Sequence, residues 1–220
     1  MNFKTLFLAA LGVLLALFVF GVFFYYMLGG QKAEALPEIQ RAALVRMHSP
    51  TLGKVDAPVI VVEFLDPACE TCARFYPLVK EIMAAHPDKI RLVLRYAPFH
   101  KGSDEVVAML EAARKQGKFW PALEALLSAQ AAWVQNHTAR ADLAWNLLGG
   151  SGMGLDMDRL RADMAAPEIA RAIAQDVEDA KTLNVRQTPE FFVNGRPMPE
   201  FGIEQLKRLI NDALVESAKR

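Results

Sequence analysis

The stretch Val59-Ile60-Val61-Val62-Glu63-Phe64-Leu65-Asp66-Pro67-Ala68-Cys69-Glu70-Thr71-Cys72 decides how the chain is read. Its first seven residues are β-branched or large and apolar apart from Glu63, with no polar alternation, which suits a strand covered on both faces of a sheet. Asp66-Pro67 ends the strand, and Cys69 to about Ala85 reads as a helix. Ile90 to Tyr96 follows as a second strand, with Arg91 and Arg95 alternating against apolar neighbours. Strand, helix and strand make a unit expected to be parallel and right-handed.

Downstream, from about Gly102 to Leu183, Ala, Leu, Glu and Arg replace the β-branched runs, and breaks fall at Gly117, Pro121, Gly149 to Gly154 and Pro167. Four or five short helices are expected there. The sheet resumes at Glu190 to Val193, turns at Asn194-Gly195, the strongest two-residue hairpin signal, and returns through Arg196 to Phe201. A last helix is expected from about Ile203 to Ser217. The order β–α–β, helices, β–β–α describes an α/β domain with a helical insertion.

Upstream, Leu6 to Leu28 carries no charge over 23 residues, enough to cross a hydrocarbon core as a helix. That run exceeds the 7–15 residues of a typical signal core and reads as a retained N-terminal transmembrane helix. Ala33-Glu34-Ala35 keeps a cleaved signal as the rival reading. Residues 1–30 are thus assigned to the anchor, 31–50 to a tether and 51–220 to the folded domain, with its insertion at about 102–183. Within the tether, Leu36, Ile39, Ala43, Leu44 and Met47 fall at helical spacing, for packing on the domain or for dimerisation.

The chemistry converges on the only two cysteines, Cys69 and Cys72. A Cys-x-x-Cys at a helix start places the first sulfur beside unsatisfied N–H groups and the positive end of the helix dipole, both of which favour the thiolate. A thiolate attacks disulfides and is also the better leaving group. Cys72, one turn on, is close enough to resolve a mixed disulfide and too close in sequence to staple a large loop. Glu63, inside the apolar strand, is expected to be desolvated with a raised pKa, as a proton carrier for a buried thiol requires. Metal binding is the competing use of two thiolates, but no second cysteine pair exists. His48, His86, His100 and His137 are scattered and read as surface or helix-end residues. No metal and no cofactor is expected. The 25 basic and 25 acidic residues leave no basic footprint for nucleic acid.

These motifs resemble the DsbA-like branch of the thioredoxin superfamily from about Val59 to the C-terminus. The resemblance rests on Glu63 to Ala68 leading into Cys69-Glu70-Thr71-Cys72, on Pro77, on Thr188-Pro189 before Phe191-Phe192-Val193-Asn194-Gly195, and on the helical insertion. It implies a thioredoxin-like fold, a buried acid at Glu63, and a cis Pro189 whose neighbouring backbone, with Thr188, pairs with substrate. It further implies a thiol:disulfide oxidoreductase acting on protein thiols or disulfides. Such an enzyme would sit at the bacterial inner membrane by a single span, its catalytic domain in the periplasm, served by a membrane redox partner. Oxidase, isomerase and reductase directions stay open, as does a membrane-held copper or zinc binding module. The sequence departs from the family pattern at Glu70-Thr71, which lacks the histidine of strongly oxidising members, and at Glu190, where a small or neutral residue is common. Negative charge at Glu70 and Glu190 is expected to disfavour the Cys69 thiolate and to make the pair a milder oxidant.

Overall fold

The computed structural model describes residues 12–21, 36 and 38–219. Residues 12–21 are helical with exposed apolar side chains such as Leu14 and Phe18, and they belong to a unit separate from the one that begins at Ala35. The remainder of the Leu6 to Leu28 run, Ala33-Glu34-Ala35 and the start of the tether lie outside the described residues. Among the described residues no helix is long and apolar enough to cross a membrane.

In the second unit, α1 (Glu38–Leu44) and the edge strand β1 (Thr51–Leu52) precede β2 (Val59–Leu65), α2 (Glu70–Ala85) and β3 (Ile90–Tyr96). The insertion holds α3 (Ser103–Lys115), α4 (Phe119–Ser128), a 3-10 turn (Gln130–Ala132), the small hairpin β4 (Val134–Gln135) and β5 (Thr138–Ala139), α5 (Ala141–Gly150), α6 (Met157–Met164) and α7 (Pro167–Thr182). β6 (Glu190–Val193), β7 (Arg196–Pro197) and α8 (Ile203–Ser217) close the chain. The main sheet has the order β1-β3-β2-β6-β7. β2 runs parallel to β3 with Glu63 opposite Leu94, and antiparallel to β6 with Glu63 opposite Phe191. Glu63 therefore sits in the central strand, with a neighbour on each side.

The pleat of β2 and β3 divides the core. Leu65, Leu94 and Tyr96 face α2 and the insertion, where they meet Cys72, Tyr76 and Leu110. Val62, Phe64 and Val93 face the other way, onto Ala43 and Leu44 of α1 and Ala180 of α7. Each fully buried leucine in these layers contributes about 1.5–3 kcal/mol. Ala43 and Leu44 pack on the domain as their spacing predicts, whereas Met47 stands in solvent.

Several local features depart from expectation. Pro121 does not break a helix, because it lies in the first turn of α4, where its missing N–H has no intrahelical partner to lose. β1 and the β4–β5 hairpin are too short, at two residues per strand, to leave a period in the sequence. β7 stops at Pro197, well before Phe201, since proline cannot donate to a ladder. Arg95 does not face solvent. It is fully buried, donates to Asp176 and Asp179 of α7 and to the carbonyl oxygens of Ala43 and Leu44, and lies 5.3 Å from the Phe64 ring centroid. Arg46 and His48 reach the same two carboxylates, at 2.6 Å each, so the segment after α1 is tied to α7 by charge. Burial alone would push the Asp179 carboxyl up, but the hydrogen bonds from Arg46 and Arg95 outweigh it and hold it below its ordinary value.

Candidate active site

Cys69 is the N-cap of α2 with extended backbone, and Cys72 lies on the first turn, facing the core. Both are buried, both are thiols in this structure, and α2 then runs on through Pro77 to Ala85. The Cys69 thiol donates to the Thr188 carbonyl oxygen at 3.1 Å, and the Thr188–Pro189 peptide is cis. Thus the loop ahead of β6 and the start of α2, 119 residues apart in sequence, meet at one sulfur.

The turn that presents Cys69 is held from beneath. The buried Asp66 carboxylate accepts from the Ala68 N–H at 2.8 Å, the His100 N–H at 2.8 Å, His100 Nδ1 at 2.7 Å and the Ser103 hydroxyl, while the Asp66 carbonyl accepts from the Cys69 N–H at 3.0 Å. Gln130, buried in the 3-10 turn of the insertion, donates through Nε2 to the carbonyl oxygens of Pro67 at 2.8 Å and Cys69 at 3.0 Å. Gly102 makes the approach of α3 possible: its φ of +79° is unstrained only for glycine, and a Cβ there would lie 2.6 Å from the Ala139 carbonyl oxygen. Asp66, His100, Ser103 and Gln130 escaped the sequence reading as parts of the site. The only trace they left was the aspartate that ends the strand, because their partners lie 34 to 63 residues away. His100 also stacks on His137 with ring centroids 6.3 Å apart, so it and His48 are engaged groups rather than free surface residues.

The two sulfurs are electrostatically unequal. The Cys72 thiol hydrogen-bonds to Cys69 and is the largest influence pulling the Cys69 pKa down; burial opposes it, and the Thr188 side chain and the N–H groups of Thr71 and Cys72 add to it. The Thr188 carbonyl favours the neutral thiol, but these donors prevail, and the Cys69 pKa falls from 9.0 to about 5. Burial pushes Cys72 well above its ordinary value, reinforced by the proton it shares with Cys69 and by the charge of Glu63. Glu63 is fully buried and neither carboxyl oxygen has a hydrogen-bond partner. Burial, with a smaller push from Cys69, raises its pKa from 4.5 to about 8. Glu190 is half-buried and its carboxyl is also raised, by burial.

The expectation that Glu70 and Glu190 outweigh the helix start is therefore reversed. Glu70 is exposed on the first turn, burial weakens the Glu190 charge, and the donors that settle the matter touch the sulfur directly. Among the described residues no group of three or more histidine, cysteine or acidic side chains is placed to hold a metal ion.

A family model described as thioredoxin matches residues 46–212. A thioredoxin-like oxidoreductase from Silicibacter pomeroyi DSS-3 is 32% identical, with a TM-score of 0.68 over 82% of this chain and 98% of that one. BdbD from Bacillus subtilis, in its oxidised form, is 25% identical, with a TM-score of 0.67 over 76% of this chain and 94% of that one. A Na(+)/H(+) antiporter NhaA from Herminiimonas arsenicoxydans is 30% identical over 168 residues, which are 76% of this chain and 26% of that protein. The chain spans about a quarter of the length of the curated relatives it matches. On fold and sequence, the chain belongs to the thioredoxin family.

Proposed function

We propose that this protein exchanges disulfides with protein thiols outside the cytoplasm, with Cys69 as the attacking and leaving sulfur, Cys72 as the resolving thiol and Glu63 as its proton carrier. The observation that carries this reading is the inequality of the pair at a helix start: Cys69 is drawn down to about 5 while Cys72 is pushed up. In the oxidising direction, a substrate thiolate attacks Cys69 Sγ, the Cys69–Cys72 bond breaks, and Cys72 leaves as a thiolate that takes a proton from the Glu63 carboxyl. A second substrate thiolate then attacks the substrate sulfur of the mixed disulfide, forming the substrate disulfide and expelling Cys69 as a stabilised thiolate. The substrate gains one disulfide, and the protein keeps two electrons as a dithiol, to be returned to a redox partner in the membrane. Thr188 and Pro189, beside the sulfur, supply the backbone edge on which substrate docks.

A stabilised Cys69 thiolate stabilises the reduced protein and so favours oxidation of substrates over their reduction. Location outside the cytoplasm draws support from the chemistry, which needs an oxidising compartment, and from the uncharged Leu6 to Leu28 run as a retained single-span anchor. Residues 31–50 then serve as the tether, and 51–220 carry the redox domain with its insertion at about 102–183. Trapping tests the roles: Cys72→Ala accumulates mixed disulfides through Cys69, and Cys69→Ala forms none. Adducts formed only through Cys72 reverse the assignment. Full-length protein in the membrane fraction after alkaline extraction supports the anchor, and release into the soluble fraction with the first 35 residues removed refutes it.

A further inference from the structure

On the sheet face that carries Phe64, and reaching Glu190 two residues beyond Thr188, lies a cavity of about 470 Å³ that the exchange mechanism leaves unused. Glu190, Gln40, Gln187, Phe192, Met198 and Phe201 are among the residues that line it. Glu190 directly follows the cis Thr188–Pro189 peptide and shares a sheet face with Phe64, its partner across β2. Its carboxylate makes no hydrogen bond or ion pair among the described residues, and burial alone acts on its titration. No lysine or arginine lines the cavity. Arg95, over the Phe64 ring, is committed to Asp176 and Asp179, and Arg186 to Asn184 at 2.8 Å.

A half-dehydrated carboxylate without a partner is complementary to a cation brought in from outside. The surroundings fit a long basic side chain, since the Phe192, Met198 and Phe201 walls can take its methylene stem and the Gln40 and Gln187 amides can orient its head. Glu190 opens β6 two residues after Thr188, whose carbonyl holds the Cys69 sulfur.

We propose that Glu190 is a specificity determinant, and that the cavity beside Pro189 takes a lysine or arginine located within two or three residues of the reacting cysteine of a protein substrate. This rests on the exchange reading above and adds the substrate class to it. The step needs no new chemistry, because the cation binds while the sulfur atoms exchange.

The test uses the oxidised full-length protein and three dithiol peptides that differ only in one position: lysine next but one to a cysteine, alanine there, or alanine there with the lysine moved to the far end. The near-lysine peptide is oxidised about tenfold faster than the alanine peptide. The far-lysine peptide behaves like the alanine peptide. Glu190→Gln brings the near-lysine to alanine ratio to about one, and Glu190→Lys reverses it in favour of a near-glutamate peptide. Equal acceleration by near and far lysine means a long-range field and overturns the proposal, as does a ratio that survives Glu190→Gln. Oxidation of all peptides at one rate overturns the proposal and leaves the exchange reading standing. Oxidation of none overturns both.

Discussion

Replacing Glu63 with glutamine removes the one carboxyl that the central strand carries into the core, and the pH dependence of stability reports the loss. Glu63 moves from 4.5 to about 8 on folding, a difference of 3.5 units, worth about 5 kcal/mol at about 1.4 kcal/mol per unit. Below pH 4.5 the group is protonated in both states, and its contribution is fully present. As the pH rises, the unfolded chain releases the proton while the folded chain keeps it until about pH 8, so stability is lost across that window. Between about pH 5 and about pH 7.5 the loss is about 3 kcal/mol. In the reduced protein, Cys69 masks this with the opposite slope, since its folded pKa lies below its unfolded one. The disulfide form isolates Glu63, because neither sulfur then titrates. Burial, the larger of the two causes acting on Glu63, remains in that form. With a urea slope of about 1–3 kcal/mol per M, the wild-type midpoint falls by about 1 M or more over that range. Oxidised Glu63→Gln shows no such fall. Parallel slopes for the two proteins, or a wild-type midpoint that climbs relative to the variant, refute a desolvated acid at this position.

Two further outcomes follow from the geometry. Ultraviolet thiolate absorbance of the reduced protein titrates with a midpoint about 5, and at pH 7 the two pH units above that midpoint make the pair more oxidising by about 60 mV than ordinary thiols in the same fold. A midpoint near the ordinary value of a free thiol, or a potential that does not follow it, rejects the assigned donors. Asp176→Asn leaves Arg95 short of a buried partner and costs about 3–5 kcal/mol in urea unfolding, whereas a paired Arg95→Met and Asp176→Leu replacement recovers much of that. Full loss in the paired variant too shows that the network carries more than charge balance.

Legibility in the sequence followed the range of the interactions. β2, β3, α2 and α8 were readable because burial on two faces, or on one helical stripe, writes itself into a local period, and the Asn194-Gly195 turn because its backbone needs positive φ at both residues. Cys69 and Cys72 were readable because a helix start and one turn of helix are local facts. Burial of Glu63 was readable from its apolar neighbours, but its lack of any hydrogen-bond partner was not. The burial of Arg95 was not readable, since the two aspartates that receive it lie 81 and 84 residues away. The influence of Glu70 was overrated because charge counted along the chain ignores the hydrogen-bond donors that touch the sulfur itself, the Cys72 thiol first among them.

The amide of Gln130 on the Pro67 and Cys69 carbonyl groups makes the helical block a part of the candidate active site rather than an accessory to it. Asp66 reaches Ser103 at the head of the same block, and Tyr96, at the end of β3, gives its N–H to Asp176 near the tail. A chimera that joins the sheet and cysteines of this chain to the insertion of a distant relative would keep the motif yet lose the Gln130 and Ser103 clamps on the turn that presents it, and the tie from Asp176 to β3. Candidate site and insertion should thus have been inherited as a single block, with recombination between relatives penalised anywhere between Glu38 and Leu183.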